Sequence, residues 1–252
     1  MSFLSQLAQS LSQSVTATSQ SSASTQRGDT MSRYELATSN DLIENPSPRC
    51  PCMVVLDTSA SMGGAPIQQL NAGFQQFLQA LNDDEVASCS VEVGVITAGG
   101  RIDEQLPFTA AMDIDHCNSF SAGGMTPLGG AVDLALKKLE ERKAQYRSAG
   151  VAYFQPWLVV ISDGSPNDSW QSAAAKAKQL SSNRKLVSLV VGVEGAELQT
   201  LGEFSHRPAI KLDGLKFGEF FEWLSASMSR VSNSASTTAS VDLPPMDGWA
   251  SI

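Results

Sequence analysis

The chain has 252 residues, of which 42% are hydrophobic and 17% are charged, and its formal net charge at pH 7 is -9. A chain of this length buries enough apolar surface to fold as one domain with appendages, without a stabilising metal or disulfide framework. The excess of acidic residues argues against a nucleic-acid-binding protein, because affinity for nucleic acid comes from neutralising phosphates with Lys and Arg.

The first segment, residues 1–45, is rich in Ser, Thr and Gln and is predicted to be an N-terminal extension that cannot fold alone. Apolar residues at helical spacing between Phe3 and Val15 leave open a short amphipathic helix within it. Met31 is an alternative start of the chain. The N-terminus lacks the pattern of a secretion signal, and no apolar run approaches the roughly 20 residues of a membrane span. We therefore expect a cytoplasmic protein with no membrane partner.

Residues 46–230 alternate short apolar runs, typical of buried strands, with amphipathic stretches, typical of helices. Strands are predicted, in chain order, at residues 52–56, 91–97, 102–108, 157–161, 186–193 and 209–212. Helices are predicted to begin at Pro66 and Leu128 and to cover residues 170–180, 196–204 and 217–228. The third strand is expected at an edge, and residues 231–252 are predicted to be a C-terminal tail. Strands separated by helices predict an α/β fold with a doubly wound, mostly parallel sheet and helices on both faces.

The four cysteines are too few for a disulfide framework in a chain of this length. Cys50 and Cys52 lie two residues apart, and His116 and Cys117 are adjacent, but this spacing fits no standard zinc pattern. We expect reduced thiols that are buried or inert.

Residues with hydroxyl or carboxylate side chains lie next to the predicted strands and helices at three places. Asp57, Ser59 and Ser61 follow the first strand, Thr126 precedes the helix that begins at Leu128, and Asp163 follows the fourth strand. Each segment alone is typical of a turn or a helix cap. Ligands of open parallel sheets bind beyond the carboxyl ends of the strands, and these oxygen donors suit Mg²⁺ or Mn²⁺. Their joint occurrence therefore predicts a metal site.

The order Asp57-x-Ser59-x-Ser61, then Thr126, then Asp163 resembles the metal-ion-dependent adhesion site of von Willebrand factor A (vWA) domains. The resemblance covers about residues 46–228. One departure is Met125, which separates the pair Gly123-Gly124 from Thr126, where many relatives read Gly-Gly-Thr-Pro. One inserted residue is expected to shift Thr126 along its loop.

Four further segments resemble the bacterial TerY-like branch of the family, which is associated with tellurite resistance. They are Arg49-Cys-Pro-Cys52, Leu56-Asp-Thr-Ser59, residues 153–157 and Gly192-Val-Glu-Gly195. The zinc-binding tail of some members of that branch is absent, because no cysteine follows Cys117.

The resemblance implies a non-enzymatic protein-binding module. The neutral hydroxyls of Ser59, Ser61 and Thr126 would bind the metal, and Asp57 and Asp163 would act largely through bridging waters. The cation then stays electrophilic and accepts an acidic residue of a partner protein. The resemblance further implies a scaffold or regulator in a bacterial stress-response or phage-defence system, with a protein kinase or phosphatase as partner. The net charge of the chain favours a broadly basic partner that presents one acidic residue.

Two other functions remain open. A Mg²⁺-dependent phosphoryl-transfer enzyme would use Asp57 as nucleophile, but Ser59 stands where a second carboxylate would act as general acid. The chain also has no phosphate-binding loop that ends in Lys-Ser or Lys-Thr. Alternatively, the domain binds its partners through other surfaces and independently of metal.

Overall fold

The computed structural model describes residues 42, 45–164, 166–246 and 250–251 of the chain. These residues belong to one unit, residues 41–252. The short helix considered between Phe3 and Val15 lies outside the described residues, as does nearly all of the predicted N-terminal extension.

A seven-stranded sheet forms the centre of this unit, with the strand order β3-β2-β1-β4-β5-β6-β7. The strands are β1 (Cys50–Asp57), β2 (Val91–Gly99), β3 (Arg101–Ala110), β4 (Trp157–Ser162), β5 (Val187–Gly192), β6 (Ile210–Leu212) and β7 (Ala250–Ser251). The five inner strands are parallel, and the edge strands β3 and β7 are antiparallel to their neighbours. The predicted edge position of the third strand is confirmed.

Helices cover both faces of the sheet. They are α1 (Ala65–Asp83), α2 (Glu85–Ser90), α3 (Leu128–Ala149), α4 (Gln171–Ser182), α5 (Leu198–Gly202) and α6 (Phe217–Ser232). Apolar side chains of α1 and α6 belong to one core cluster, and those of α3, α4 and α5 belong to the other. This arrangement confirms the predicted doubly wound α/β fold. None of the helices in the described part of the chain is long and apolar enough to cross a membrane.

Strand β1 shows why short apolar runs form the centre of this fold. Every residue of β1 is buried. Cys52, Val54 and Leu56 point into the cluster under α1 and α6, whereas Met53 and Val55 point into the cluster under α3 and α4. Because side chains alternate along a strand, the part of β1 that is covered on both faces is apolar at each of residues 52–56.

Two short elements were not predicted. Helix α2 has six residues, and its first turn is capped by Asp84, whose carboxylate accepts hydrogen bonds from the N–H groups of Val86 and Ala87. Strand β7 has two residues and pairs with β6. The chain before β7 also contacts the domain, because Trp223 Nε1 donates to the carbonyl oxygen of Pro244 at 2.8 Å.

A buried network of charged groups lies at the amino-terminal end of the parallel strands. Glu92, at the start of β2, accepts hydrogen bonds from Arg142 Nε (2.6 Å) and Nη2 (2.8 Å) and from the Tyr146 hydroxyl (2.6 Å). Arg49, which precedes β1, lies 3.4 Å from the same carboxylate. Burial and the charge of Glu92 raise the pKa of Tyr146. The network connects β1, β2 and α3 at the end of the sheet opposite to the predicted metal site.

Candidate metal site

The carboxyl ends of β1 and β4 lie side by side in the centre of the sheet. Leu56 pairs with Ile161 in parallel register, so Asp57 and Ser162 come next to each other at the strand ends. The chain leaves β1 toward α1 on one face, and it leaves β4 toward α4 on the other face. This is the place in a doubly wound sheet where a crevice for ligands opens.

A chain of hydrogen bonds joins four of the five predicted site residues. Asp57 Oδ1 accepts from the Ser59 backbone N–H at 2.8 Å. The hydroxyl oxygens of Ser59 and Ser61 are 2.9 Å apart, and the Ser61 hydroxyl donates to Asp163 Oδ1 at 2.9 Å. The loop after β1 therefore meets the loop after β4 through side-chain oxygens alone.

The loop that carries Thr126 lies against the loop after β1. The Gly123 N–H donates to the Thr58 carbonyl oxygen at 2.8 Å, and the Ala60 N–H donates to that of Gly124 at 3.0 Å. Thr126 is buried, with a relative exposure of 8%, yet its hydroxyl forms no hydrogen bond with any described residue. Thr126 is thus near the other four residues without joining their hydrogen-bonded chain.

Two glycines allow this loop to approach the turn between β2 and β3. Gly124 has φ +72°, and a Cβ atom on it would lie 2.4 Å from the Gly100 Cα. The Gly100 N–H donates to the Met125 carbonyl oxygen at 2.7 Å. The backbone of the inserted Met125 is therefore held by the turn, while its side chain is 66% exposed.

Three supporting residues were missed by the sequence analysis. The Ser162 hydroxyl donates to Asp57 Oδ2 at 2.5 Å. The Asn167 N–H donates to the Thr126 carbonyl oxygen (3.1 Å), and its side-chain amide, in the orientation that satisfies both atoms, pairs with the Thr126 backbone at 2.8 and 3.2 Å. Asp168 accepts from the first N–H groups of α3, those of Gly129 and Gly130.

For one of these contacts, the cap that Asp168 supplies to α3, the sequence contains a weak signal. The helix α3 begins after a proline, whose side chain cannot cap it. A cap from elsewhere in the chain was therefore required, but the sequence does not say which residue supplies it.

The two carboxylates of the site differ in environment. Asp57 is fully buried, and both of its oxygens accept hydrogen bonds. The pKa of Asp163 is raised, first by burial and also by the negative charge of Asp57, against a hydrogen bond from Ser61 that lowers it. A cation between these groups would relieve the repulsion between the two carboxylates.

The donor atoms fit a small hard cation. Two neighbouring ligands of an octahedral Mg²⁺, each about 2.1 Å from the metal, lie about 3 Å apart. The distances of 2.9 Å from Ser61 Oγ to Ser59 Oγ and to Asp163 Oδ1 match that spacing.

Other metal chemistry finds little support in the described residues. No group of three or more His, Cys, Asp and Glu side chains comes together there to hold a metal ion. Cys50 and Cys52 are buried in β1, and burial raises the pKa of Cys50 to about 12. A thiol in this state is a poor zinc ligand, because zinc binds the thiolate.

The comparisons with known proteins agree with this architecture. The von Willebrand factor type A domain matches residues 53–219 of the chain. A search of curated protein sequences gives no significant match.

Three similar solved structures have TM-scores above 0.5. A von Willebrand factor type A protein from Catenulispora acidiphila is 14% identical, with 73% of this chain and 43% of that one covered and a TM-score of 0.53. Proximal thread matrix protein 1 from the mussel byssus, in its second crystal form, is 15% identical (73% and 49% covered, TM-score 0.52). The ArnB paralog VWA2 from Sulfolobus acidocaldarius is 13% identical (71% and 45% covered, TM-score 0.51).

This chain spans less than half the length of each of these structures, and at such identities they show the fold alone. The family match, in contrast, covers well over half of the chain and includes the loops after β1 and β4. The chain therefore belongs to the von Willebrand factor type A domain family.

Proposed function

We propose that this chain is a non-enzymatic, metal-dependent protein-binding module. Asp57, Ser59, Ser61, Thr126 and Asp163 would hold Mg²⁺ or Mn²⁺ as a metal-ion-dependent adhesion site, and an acidic residue of a partner protein would complete the coordination. The observation that carries the proposal is the chain of hydrogen bonds that joins the side chain of Asp57 to Ser59, Ser61 and Asp163.

The balance of neutral and charged donors explains why such a metal would bind a partner. Ser59 and Ser61 supply oxygens without charge, so a cation held by them keeps most of its positive charge. An exposed carboxylate from outside is then an attractive further ligand. The exposed side chain of Met125 lies beside Thr126 in the chain and offers an apolar contact for the same partner.

The contacts of Asp57 favour this function over phosphoryl transfer. A nucleophilic carboxylate needs an oxygen that is accessible to the substrate, whereas Asp57 is fully buried. Its Oδ1 accepts from the Ser59 N–H, and its Oδ2 accepts from the Ser162 hydroxyl. These contacts suit a residue that positions the loop and contributes negative charge.

The biological setting of the proposal depends on the sequence resemblance to the TerY-like branch. We propose a cytoplasmic scaffold or regulator in a bacterial stress response linked to tellurite resistance, or in phage defence, with a protein kinase or phosphatase as partner. Because the chain carries a net charge of -9, a basic partner would be attracted over the screening length of about 8–10 Å, and binding should weaken as salt is added.

Calorimetric titration of the full chain with MgCl₂ and MnCl₂ tests the metal site. We expect one ion per chain for the wild type. The double variant S59A/S61A should bind at least about tenfold more weakly, as expected when donors around a metal are removed. The control is S182A, a serine on α4 whose hydroxyl bonds only to Lys178 of its own helix. No heat with either metal, or unchanged affinity in the double variant, would contradict the proposal.

Affinity capture from the native cell, with and without EDTA, tests the partner role. We expect EDTA and the D57A variant to abolish capture of the same protein, with circular dichroism confirming that the variant is folded. Capture that survives both treatments would support the metal-independent alternative. Turnover of a generic phosphatase substrate in the presence of Mg²⁺ would support the enzymatic one.

A further inference from the structure

A second cleft lies at the opposite end of the sheet from the metal site. It has a volume of about 960 Å³ and lies at the amino ends of β4 and β5, where Trp157 and Val187 line it. The end of α4 forms another wall, and residues 237–241 of the chain after α6 form a third. A volume of this order suits a small ligand.

The charges of this cleft are opposite to the charge of the chain as a whole. Its lining includes Lys143, Arg184, Lys185, His206 and Arg207, and no Asp or Glu belongs to the lining among the described residues. We call this site the basic cleft. Five basic side chains around one cavity are unexpected in a protein with a net charge of -9.

Three of these five side chains form no ion pair within the part of the chain that the structure describes. Lys143 Nζ donates to Glu140 at 2.6 Å, and the His206 ring contacts the Ser181 hydroxyl. Arg184, Lys185 and Arg207, in contrast, form no ion pair with any residue that the structure describes. Like charges that are gathered without counter-charges repel one another, and a bound anion would remove that repulsion.

Arg184 occupies a backbone position that normally favours glycine. It follows the end of α4 with φ +54°, and it is the one described residue other than glycine with a positive φ. The Lys185 N–H donates to the Leu180 carbonyl oxygen at 2.9 Å, which completes the usual glycine-containing termination of a helix. A residue with a side chain is strained in this conformation. A glycine at position 184 would therefore end the helix with less backbone strain than an arginine does.

We propose that the basic cleft binds a small polyphosphate anion, either free or as the phosphate chain of a nucleotide. One guanidinium group can donate two parallel hydrogen bonds to two oxygens of a phosphate group. Arg184 and Arg207 supply two guanidinium groups to the lining of the cleft. The hydroxyls of Thr237, Thr238 and Ser240 add neutral donors on the other wall. A long nucleic acid fits less well, because the net negative charge of the chain repels an extended polyanion.

Calorimetric titration of the full chain with sodium tripolyphosphate in magnesium-free buffer tests this proposal. We expect one site per chain and about tenfold weaker binding in each of R184G and R207A, because each removes a charge-assisted contact. Glycine is the favoured residue at position 184, so loss of binding in R184G cannot be ascribed to unfolding. The control is K176A, which removes the same charge from the outer surface of α4. Absence of wild-type binding, or equal binding in all variants, would overturn the proposal.

Three further titrations identify the source of the phosphate and the site. ATP that binds more tightly than tripolyphosphate would indicate a nucleotide, and weaker binding would indicate free polyphosphate; either result supports the proposal. Binding of a doubly phosphorylated peptide in place of both small anions would overturn it. The D57A variant should bind tripolyphosphate normally, and loss of binding there would assign the anion to the metal site instead. The outcome is therefore independent of the proposed metal-dependent function.

Discussion

Gly124 is the residue that determines how closely the Thr126 loop approaches the rest of the site. Its positive φ and its contact with Gly100 both exclude a side chain, since a Cβ atom would lie 2.4 Å from the Gly100 Cα. We predict that G124A displaces the loop and weakens Mg²⁺ binding at least about tenfold, as expected for a lost metal-supporting contact. Calorimetric titration with MgCl₂ measures the effect.

Gly150 provides a matched control for this substitution. It has φ +68° at the end of α3, but a Cβ atom there would meet no other atom within 4 Å. G150A therefore carries the same backbone strain, about 1–2 kcal/mol, without a clash and far along the chain from the site. Equal Mg²⁺ affinity in G124A and the wild type, or an equal loss in both variants, would contradict the importance of the loop.

At the scale of residues, the sequence predicted the groups that are local to a strand end. Asp57 follows an apolar run directly, and Asp163 follows one after Ser162. Their position at the carboxyl ends of two strands could therefore be inferred from the sequence alone. The bond from Ser162 to Asp57 depends on the register of β1 against β4, which no local pattern reveals. The placement of Thr126 depends on a loop whose path is set by Gly100 and Asn167, two contacts that are distant in sequence.

Among the elements, α2 is the one whose formation depends most on a single residue. The carboxylate of Asp84 caps the first turn of α2 by accepting hydrogen bonds from the N–H groups of Val86 and Ala87. Partial burial opposes ionisation of Asp84, but these hydrogen bonds prevail and lower its pKa. The ionised form of Asp84 therefore stabilises the start of α2.

We predict that D84A lowers the free energy of unfolding by about 1 kcal/mol at pH 7, the usual loss for an N-cap residue. The folded-state pKa of Asp84 is below its ordinary value. Its charged form therefore stabilises the fold above the ordinary pKa of about 4, and this stabilisation is lost as the pH falls through the lowered value. Urea denaturation between pH 7 and pH 3 should show the difference between wild type and variant shrinking below about pH 4.

The neighbouring Asp83 is the control for this prediction. It is exposed, and its carboxylate accepts only from Gln79, four residues earlier in α1. D83A should change the free energy of unfolding by less than about 0.5 kcal/mol. A D84A difference that stays constant with pH would show that the charge of the cap plays no part.

The elements that could be predicted from sequence share one property. Strands such as β1 and β4 are buried on both faces, so the residues before their last position are apolar and the run is visible in the sequence. α2 and β7 are six and two residues long, too short to show a period. Their formation depends on contacts with α6 and β6, which exist only in the folded chain.

Across the whole molecule, the two ends of the sheet serve different purposes. The carboxyl end carries the polar loops of the proposed metal site, whose side-chain oxygens are joined by hydrogen bonds within the loop after β1 and from that loop to Asp163. The amino end carries the buried network in which Glu92 is paired with both Arg49 and Arg142. Both arginines are almost completely buried, and each of them is paired with that carboxylate.

Removal of the Glu92 charge should therefore destabilise the fold without changing the site. We predict that E92Q lowers the free energy of unfolding by about 3 kcal/mol or more, because it removes a buried negative charge that is paired with two buried cations. The control is E104Q, which breaks a partly exposed pair with Lys138 and should cost less than about 1 kcal/mol. Urea denaturation measures both variants.

The same two variants test whether the ends of the sheet act independently. Folded E92Q should bind Mg²⁺ with wild-type affinity, because no residue of the network contacts Asp57, Ser61 or Asp163 in the described structure. If E92Q were no less stable than E104Q, the network would contribute little to the fold. If folded E92Q lost Mg²⁺ binding while E104Q kept it, the two ends of the sheet would be coupled through β1 and β2. The view that one end stabilises the fold and the other binds the metal independently would then be wrong.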